Sequence, residues 1–186
     1  MRRWRTEAAA AVVGALALTA FVAPAQAGTI RMDDAVHDGL HHHSGDVKWV
    51  RLTYGAHRLK VTIAWPKSGD PAYYQDLYLD TWPKHAGPEV TISSNGDWEG
   101  WTVSRGGGWD VSKGTEACSS KPMGVDYDYD HQRIRYSVPR GCLKPANRPQ
   151  PPRIRASLVT RGETEKDYDW VPGARRFGRW VHRDHR

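Results

Sequence analysis

Residues 46–65 read DVKWVRLTYGAHRLKVTIAW, and the alternation within them admits few folds. Leu59, Val61, Ile63 and Trp65 alternate with Lys60, Thr62 and Ala64, and upstream Val50, Leu52 and Tyr54 alternate with Arg51 and Thr53. A period of two is the signature of a strand with one face buried. Between the two runs, residues 55–58 form a short polar connection that contains Gly55, the length expected of a hairpin turn. A lone hairpin is marginal in water, so this one requires a sheet to join and a second layer to cover its apolar face.

Further strands follow from the same periodicity. Residues 30–32 suit a short edge strand. Residues 76–82 place Leu77 and Leu79 on one face and Tyr78 and Asp80 on the other, and residues 89–93 carry Val90 and Ile92. Asn95-Gly96 is a turn signal, after which 98–103 and, briefly, 109–111 read as strand. In 153–160, Ile154, Ala156 and Leu158 point inward. A second hairpin runs from Met123 to Val138 around His131-Gln132. Its expected register sets Tyr129 opposite Ile134, Tyr127 opposite Tyr136 and Val125 opposite Val138, with Asp130–Arg133 and Asp128–Arg135 on the polar face. No segment holds a helical period. The pattern predicts an all-β chain, a single antiparallel β-sandwich of jelly-roll type.

The ends differ from the body. Arg2, Arg3 and Arg5 precede an apolar run at 8–23 and the tripeptide Ala25-Gln26-Ala27, which together read as a secretory signal peptide over 1–27. The apolar run is shorter than a membrane span, which takes roughly 20 residues. No second such run occurs, so a secreted monomer with no span after cleavage is expected. The remainder divides into a polar, His-containing lead-in at 28–45, a sandwich domain at 46–169 and a basic aromatic tail at 170–186. Cys118 and Cys142, an even pair in an exported chain, are expected to form one disulfide at the base of the second hairpin. Lys and Arg number 27 against 21 Asp and Glu, but the excess sits in the leader and the tail. The body is neutral, which argues against a nucleic-acid partner. In the tail, Phe177, Trp180 and Val181 lie at i, i+3, i+4 among five arginines. This spacing suits either a short helix on an anionic cell-envelope polymer or lipid surface, or rings docked on the sandwich with their arginines solvated.

The order of an Asp-Val pair, a hairpin, an Asp-rich strand, Val-Pro-Arg-Gly-Cys-Leu at 138–143 and Asp-Trp-Val-Pro at 169–172 resembles small secreted proteins of actinobacteria. These in turn resemble the β-sandwich modules of carbohydrate-binding and DOMON-like domains. The resemblance implies an exported binding module and transfers no catalytic or binding residue.

Enzyme signatures such as G-x-S-x-G, H-E-x-x-H and the P-loop are missing, so catalysis is not expected. Asp76 and Asp80, four apart on one strand, are the one pair that invites a glycosidase reading. Asp126, Asp128 and Asp130 suggest a calcium loop, but the sixth and twelfth positions hold His131 and Ser137 in place of Gly and Glu, and a solvated face paired with Arg133 and Arg135 is expected. Imidazoles at His37 and His41, His42 and His43 suit zinc or copper; neighbours on a strand point to opposite faces, so a solvated loop is expected, with no metal or cofactor. The most suggestive stretch is 95–110, NGDWEGWTVSRGGGWD. Trp98, Trp101 and Trp109 offer flat rings for the C–H faces of sugars, and Asp97, Glu99 and Arg105 offer hydrogen bonds to hydroxyls. These residues are the candidate binding site for a polysaccharide; the alternative is that the rings fill the core.

Overall fold

A computed structural model describes residues 28–35, 45–67, 74–95, 101–118, 123–145, 147–161 and 168–184. The leader, the His residues at 37 and 41–43, and Asp97, Trp98 and Glu99 fall outside them. In chain order the strands are β1 (Gly28–Asp33), β2 (Trp49–Tyr54), β3 (Arg58–Ala64), β4 (Tyr74–Asp80), β5 (Val90–Asn95), β6 (Trp101–Arg105), β7 (Thr115–Cys118), β8 (Gly124–Asp128), β9 (Arg133–Pro139), β10 (Arg153–Arg161), β11 (Tyr168–Val171) and β12 (Val181–His182). Among the described residues the only helical pieces are two 3₁₀ turns, Val111–Lys113 and Arg140–Leu143. No helix there is long and apolar enough to cross a membrane.

Two antiparallel sheets pack face to face. One has the order β1-β2-β3-β9-β8; the other has the order β11-β10-β4-β5-β6-β7, with β12 added beside β10. The first hairpin forms as its alternation requires, with Val50 opposite Ile63, Leu52 opposite Val61 and Tyr54 opposite Leu59. Their side chains meet Leu77, Leu79 and Ile92 from the second sheet and Ile134, Tyr136 and Val138 from β9 in one continuous core. Inward faces of two sheets about 10 Å apart interdigitate in this way, and removal of this apolar surface from water drives the fold. Strands β4 and β10 are buried on both faces. They lie in the middle of their sheet, and a loop and the tail cover their outer side.

Three expectations are corrected. The second hairpin pairs Tyr127 with Ile134, Val125 with Tyr136, Asp126 with Arg135 and Asp128 with Arg133, a shift of two residues from the expected register. A two-residue turn gives way to a longer one. The Asp128 carboxylate accepts from the His131 N–H at 3.2 Å, the Gln132 N–H donates to the Tyr129 carbonyl at 3.2 Å, and Gln132 adopts a left-handed φ of 50°. Tyr129 leaves the ladder and packs edge-on against Trp65. Because the shift is even, every side chain keeps its face. Second, residues 109–111 are not strand; the chain turns there, and the strand, β7, comes later. Third, the Cys118–Cys142 disulfide forms, but it does more than close a hairpin. Cys118 ends β7 in one sheet, and Cys142 sits in the 3₁₀ turn after β9 in the other. The bond therefore ties the two layers together at their edge.

The lead-in and tail supply strands of the sandwich. β1 pairs with β2 along its whole length, β11 and β12 both pair with β10, and the Asp184 N–H reaches across to the Tyr54 carbonyl at 2.9 Å. The described residues of the tail, 170–184, form no helix. Trp170 and Phe177 pack against Trp109, Trp180 lies over Arg153 and Arg155, and Val181 is 3 % exposed, in agreement with the docking alternative.

Candidate functional site

The site grows from the outer face of the second sheet. The alternation that turns Leu77 and Leu79 inward turns Asp76, Tyr78 and Asp80 outward. Register aligns Trp170 of β11, Val159 of β10 and Asp76 of β4 in one row, with Tyr168 beside Arg161 in the next. Two segments rise over this floor. After β6 the chain reverses through Gly106 and Gly108, which have φ of 81° and 59°. Side chains with a Cβ rarely adopt such angles, and this glycine turn folds Trp109 back over the sheet. From the other side the tail brings Ala174, Arg175 and Phe177. Between them opens a cleft of about 770 Å³ walled by Tyr78, Trp109, Tyr168 and Trp170 and lined by Asp76, Arg161, Asp110 and Arg175.

The rings hold one another. Trp109 lies 5.0 Å from Tyr78, 5.9 Å from Trp170 and 5.0 Å from Phe177 between centroids, and Tyr78 and Trp170 are nearly parallel at 6.0 Å. Tilted and offset pairs at these separations are the favoured geometries of aromatic quadrupoles. Tyr168 is 42 % exposed, so its ring is open to solvent at the mouth. Burial, and after it the Asp76 charge, push the Tyr78 phenol up to about 12, and its hydroxyl donates to the Trp109 carbonyl at 3.4 Å, which holds the turn over the sheet.

On the floor, the Arg161 guanidinium donates to Asp76 at 2.6 Å; the carboxylate is 4 % exposed and the arginine 28 %. The arginine is therefore the member of the pair that reaches the cleft. Asp110, at the wall, accepts from the Ser112 N–H and hydroxyl and pairs with Lys113 at 3.1 Å, and the Ser112 hydroxyl leads in holding its carboxyl below the usual range. Arg175, at the rim, has a left-handed φ of 53°. That conformation is uncommon for a residue with a Cβ.

The glycosidase reading of Asp76 and Asp80 does not survive this geometry. Four residues of strand separate them by about 13 Å, whereas glycoside chemistry uses carboxyls about 5–9.5 Å apart. Asp80 is fully buried and bound by the Arg155 Nε and Nη2 at 2.8 and 2.6 Å, under Phe177 and Trp180, which stack on that arginine.

Of the expected ligand residues that are described, Trp101, Arg105 and Trp109 do not share one surface. Trp101 is 2 % exposed and stacks on Tyr136 at 4.3 Å in the core. Arg105 donates to the Gly141 and Cys142 carbonyls and braces the disulfide turn. Asp97 and Trp98 lie outside the described residues. Among the described members of the set, Trp109 alone reaches the cleft. Asp126 and Asp128 share Arg135 at 3.0 and 2.7 Å, and among the described residues no cluster of three His, Cys, Asp or Glu side chains is arranged to hold a metal. The cleft residues that sequence reasoning missed, Tyr78, Tyr168 and Trp170, carry one faint signal: aromatic residues at polar-face positions of strands, where water would otherwise be the neighbour. No protein-family model matches the chain, and no curated protein matches it significantly.

Proposed function

We propose that the protein is a secreted, non-catalytic binding module that takes a glycan in the cleft between Trp109 and Trp170. One observation carries the reading: an open cleft whose walls are aromatic and whose floor offers a charged donor, Arg161. Ligand sites commonly combine apolar walls with a few fixed polar groups, and a sugar ring presents both C–H faces and hydroxyls. The partly exposed face of Trp170 and the exposed Tyr168 suit the former; the Arg161 and Arg175 N–H groups suit the latter. Export is supported by the leader-like 1–27 segment and the disulfide.

The competing reading is an envelope-associated interaction protein without a small ligand, in which Trp109, Trp170 and Phe177 serve only to pin the tail. It draws on the same ring contacts. Affinity electrophoresis against neutral and acidic polysaccharides separates the two. Retardation that disappears in Trp170→Ala/Tyr168→Ala, with the melting temperature within a few degrees of the parent, supports the glycan site. Absence of retardation on every polysaccharide, or retardation unaffected by the double change, favours the competing reading.

A further inference from the structure

The opposite face of the molecule carries a second feature. Alternation in the first sheet turns Arg31, Arg51, Arg58, Lys60, Arg133 and Arg135 to the outside, against Asp33, Asp126 and Asp128. The face has a net charge of three positive although the body of the chain is neutral. Its centre is Trp49. The guanidinium carbons of Arg31, Arg51 and Arg133 lie 4.7, 5.2 and 5.5 Å from the centre of that one ring, and they cover it so completely that Trp49 is 7 % exposed.

Arg31 stands directly across the ladder from Arg51. Like charges directly opposite one another in a sheet destabilise it. Arg31 is relieved by Asp33 at 2.6 Å, and Arg135 by Asp126 and Asp128. Arg51 and Arg133 form no ion pair among the described residues. Each guanidinium is instead held over the Trp49 ring by cation–π attraction, which restricts where it can move while leaving its N–H groups outside any such ion pair. Two guanidiniums held on one ring and outside any such ion pair, Arg51 facing Arg31 across the ladder, are suited to oxyanions, and a bound anion offsets the repulsion between these like charges.

We propose that this face binds an acidic polysaccharide, a linear chain bearing carboxylate or sulfate groups, through the edges of Arg51 and Arg133. Threonines 29, 53 and 62 share the face and offer hydroxyls to the sugar. A single-stranded nucleic acid site needs exposed rings on which bases stack. Here the ring at the centre is covered by arginine, so the chemistry is that of charge and hydrogen bonding alone. This inference does not depend on the cleft, which lies on the outer face of the other sheet.

The test uses the exported chain with polygalacturonate as the carboxylate arm, dextran sulfate as the sulfate arm, and single- and double-stranded DNA as comparison polyanions. At least one polysaccharide arm is expected to bind more tightly than DNA, with affinity that falls as salt rises. Arg51→Gln/Arg133→Gln should weaken it by roughly tenfold or more, since both forks and both charges are lost, and Arg176→Gln/Arg179→Gln in the tail should not. If the first variant fails to fold, Arg51→Lys/Arg133→Lys serves instead: charge is kept, the fork is lost, and a roughly threefold weakening is expected. The proposal is overturned if neither polysaccharide binds, if DNA binds as tightly, if the tail variant rather than the face variant loses affinity, or if the lysine variant binds like the parent.

Discussion

Replacing Trp101 by Ala separates its role in the core from the surface role expected of it. The indole is 2 % exposed, packs on Tyr136 at 4.3 Å and belongs to the same core cluster as Val103 and Val138. Truncation of a buried Trp costs about 3–5 kcal/mol, of which the lost ring pair contributes roughly 0.5–1.5 kcal/mol. With a guanidinium m-value of about 4 kcal/mol/M for a domain of this size, the unfolding midpoint should fall by about 1 M. Because total stability is about 5–15 kcal/mol, the variant retains its fold only if the parent sits above the low end of that range. Trp101→Phe keeps an aromatic contact with Tyr136 and should lower the midpoint by well under half as much. Equilibrium unfolding followed by circular dichroism measures both. A midpoint for Trp101→Ala within about 0.2 M of the parent, well below the shift expected of a buried ring, would refute the core assignment. So would loss of glycan binding with stability intact, because that is the behaviour of a surface ring.

Deleting 173–186 removes β12, the Asp184–Tyr54 bridge and the buried Val181. The loss of about 3 kcal/mol or more should lower the melting temperature by roughly 6–12 °C, and an unchanged melting curve would contradict a docked tail. Cys118→Ser/Cys142→Ser opens a loop whose ends lie 24 residues apart in sequence. Chain entropy gives that closure about 3 kcal/mol; denaturant midpoints of the parent with and without reductant check it, and equal midpoints would contradict it. Tyr54 and Tyr78 are both pushed up to about 12, chiefly by burial, from an ordinary value of 10.0. The folded state disfavours their phenolates, so the stability they contribute is fully present below pH 10 and is lost as pH rises from about 10 through about 12. Absorbance at alkaline pH should show a late-ionising class of tyrosines that loses one member in Tyr78→Phe; ionisation of all tyrosines near the ordinary value would refute it.

How much of this was legible follows from the range of each interaction. The first hairpin could be read because its alternation and its turn are local: residues 50–63 decide which side chains face inward whatever the rest of the chain does. The even charge and apolar pairing of the second hairpin was legible for the same reason, yet its register was not. A shift of two leaves every side chain on its face, so hydrophobic pattern cannot distinguish the two pairings. The choice fell to a turn in which Asp128 caps His131 and Tyr129 finds Trp65, a partner far upstream in the sequence.

The same division governs the candidate sites. The all-β character, the cysteine pair and the inward faces of the strands are written in residue types and their spacing, and the sequence alone determined them. Which tryptophan would be core and which would be wall was not, because Trp101 and Trp109 have the same chemistry and similar neighbours. Only packing distinguished them: Trp101 lies on the inward side of β6 over Tyr136, while the turn at Gly106 and Gly108 carries Trp109 over the outer face to meet Trp170. The cleft and the arginine cluster on Trp49 likewise unite residues from strands far apart in the chain. Burial and electrostatics depend on distance in space, and that distance is set by the order of strands in the two sheets.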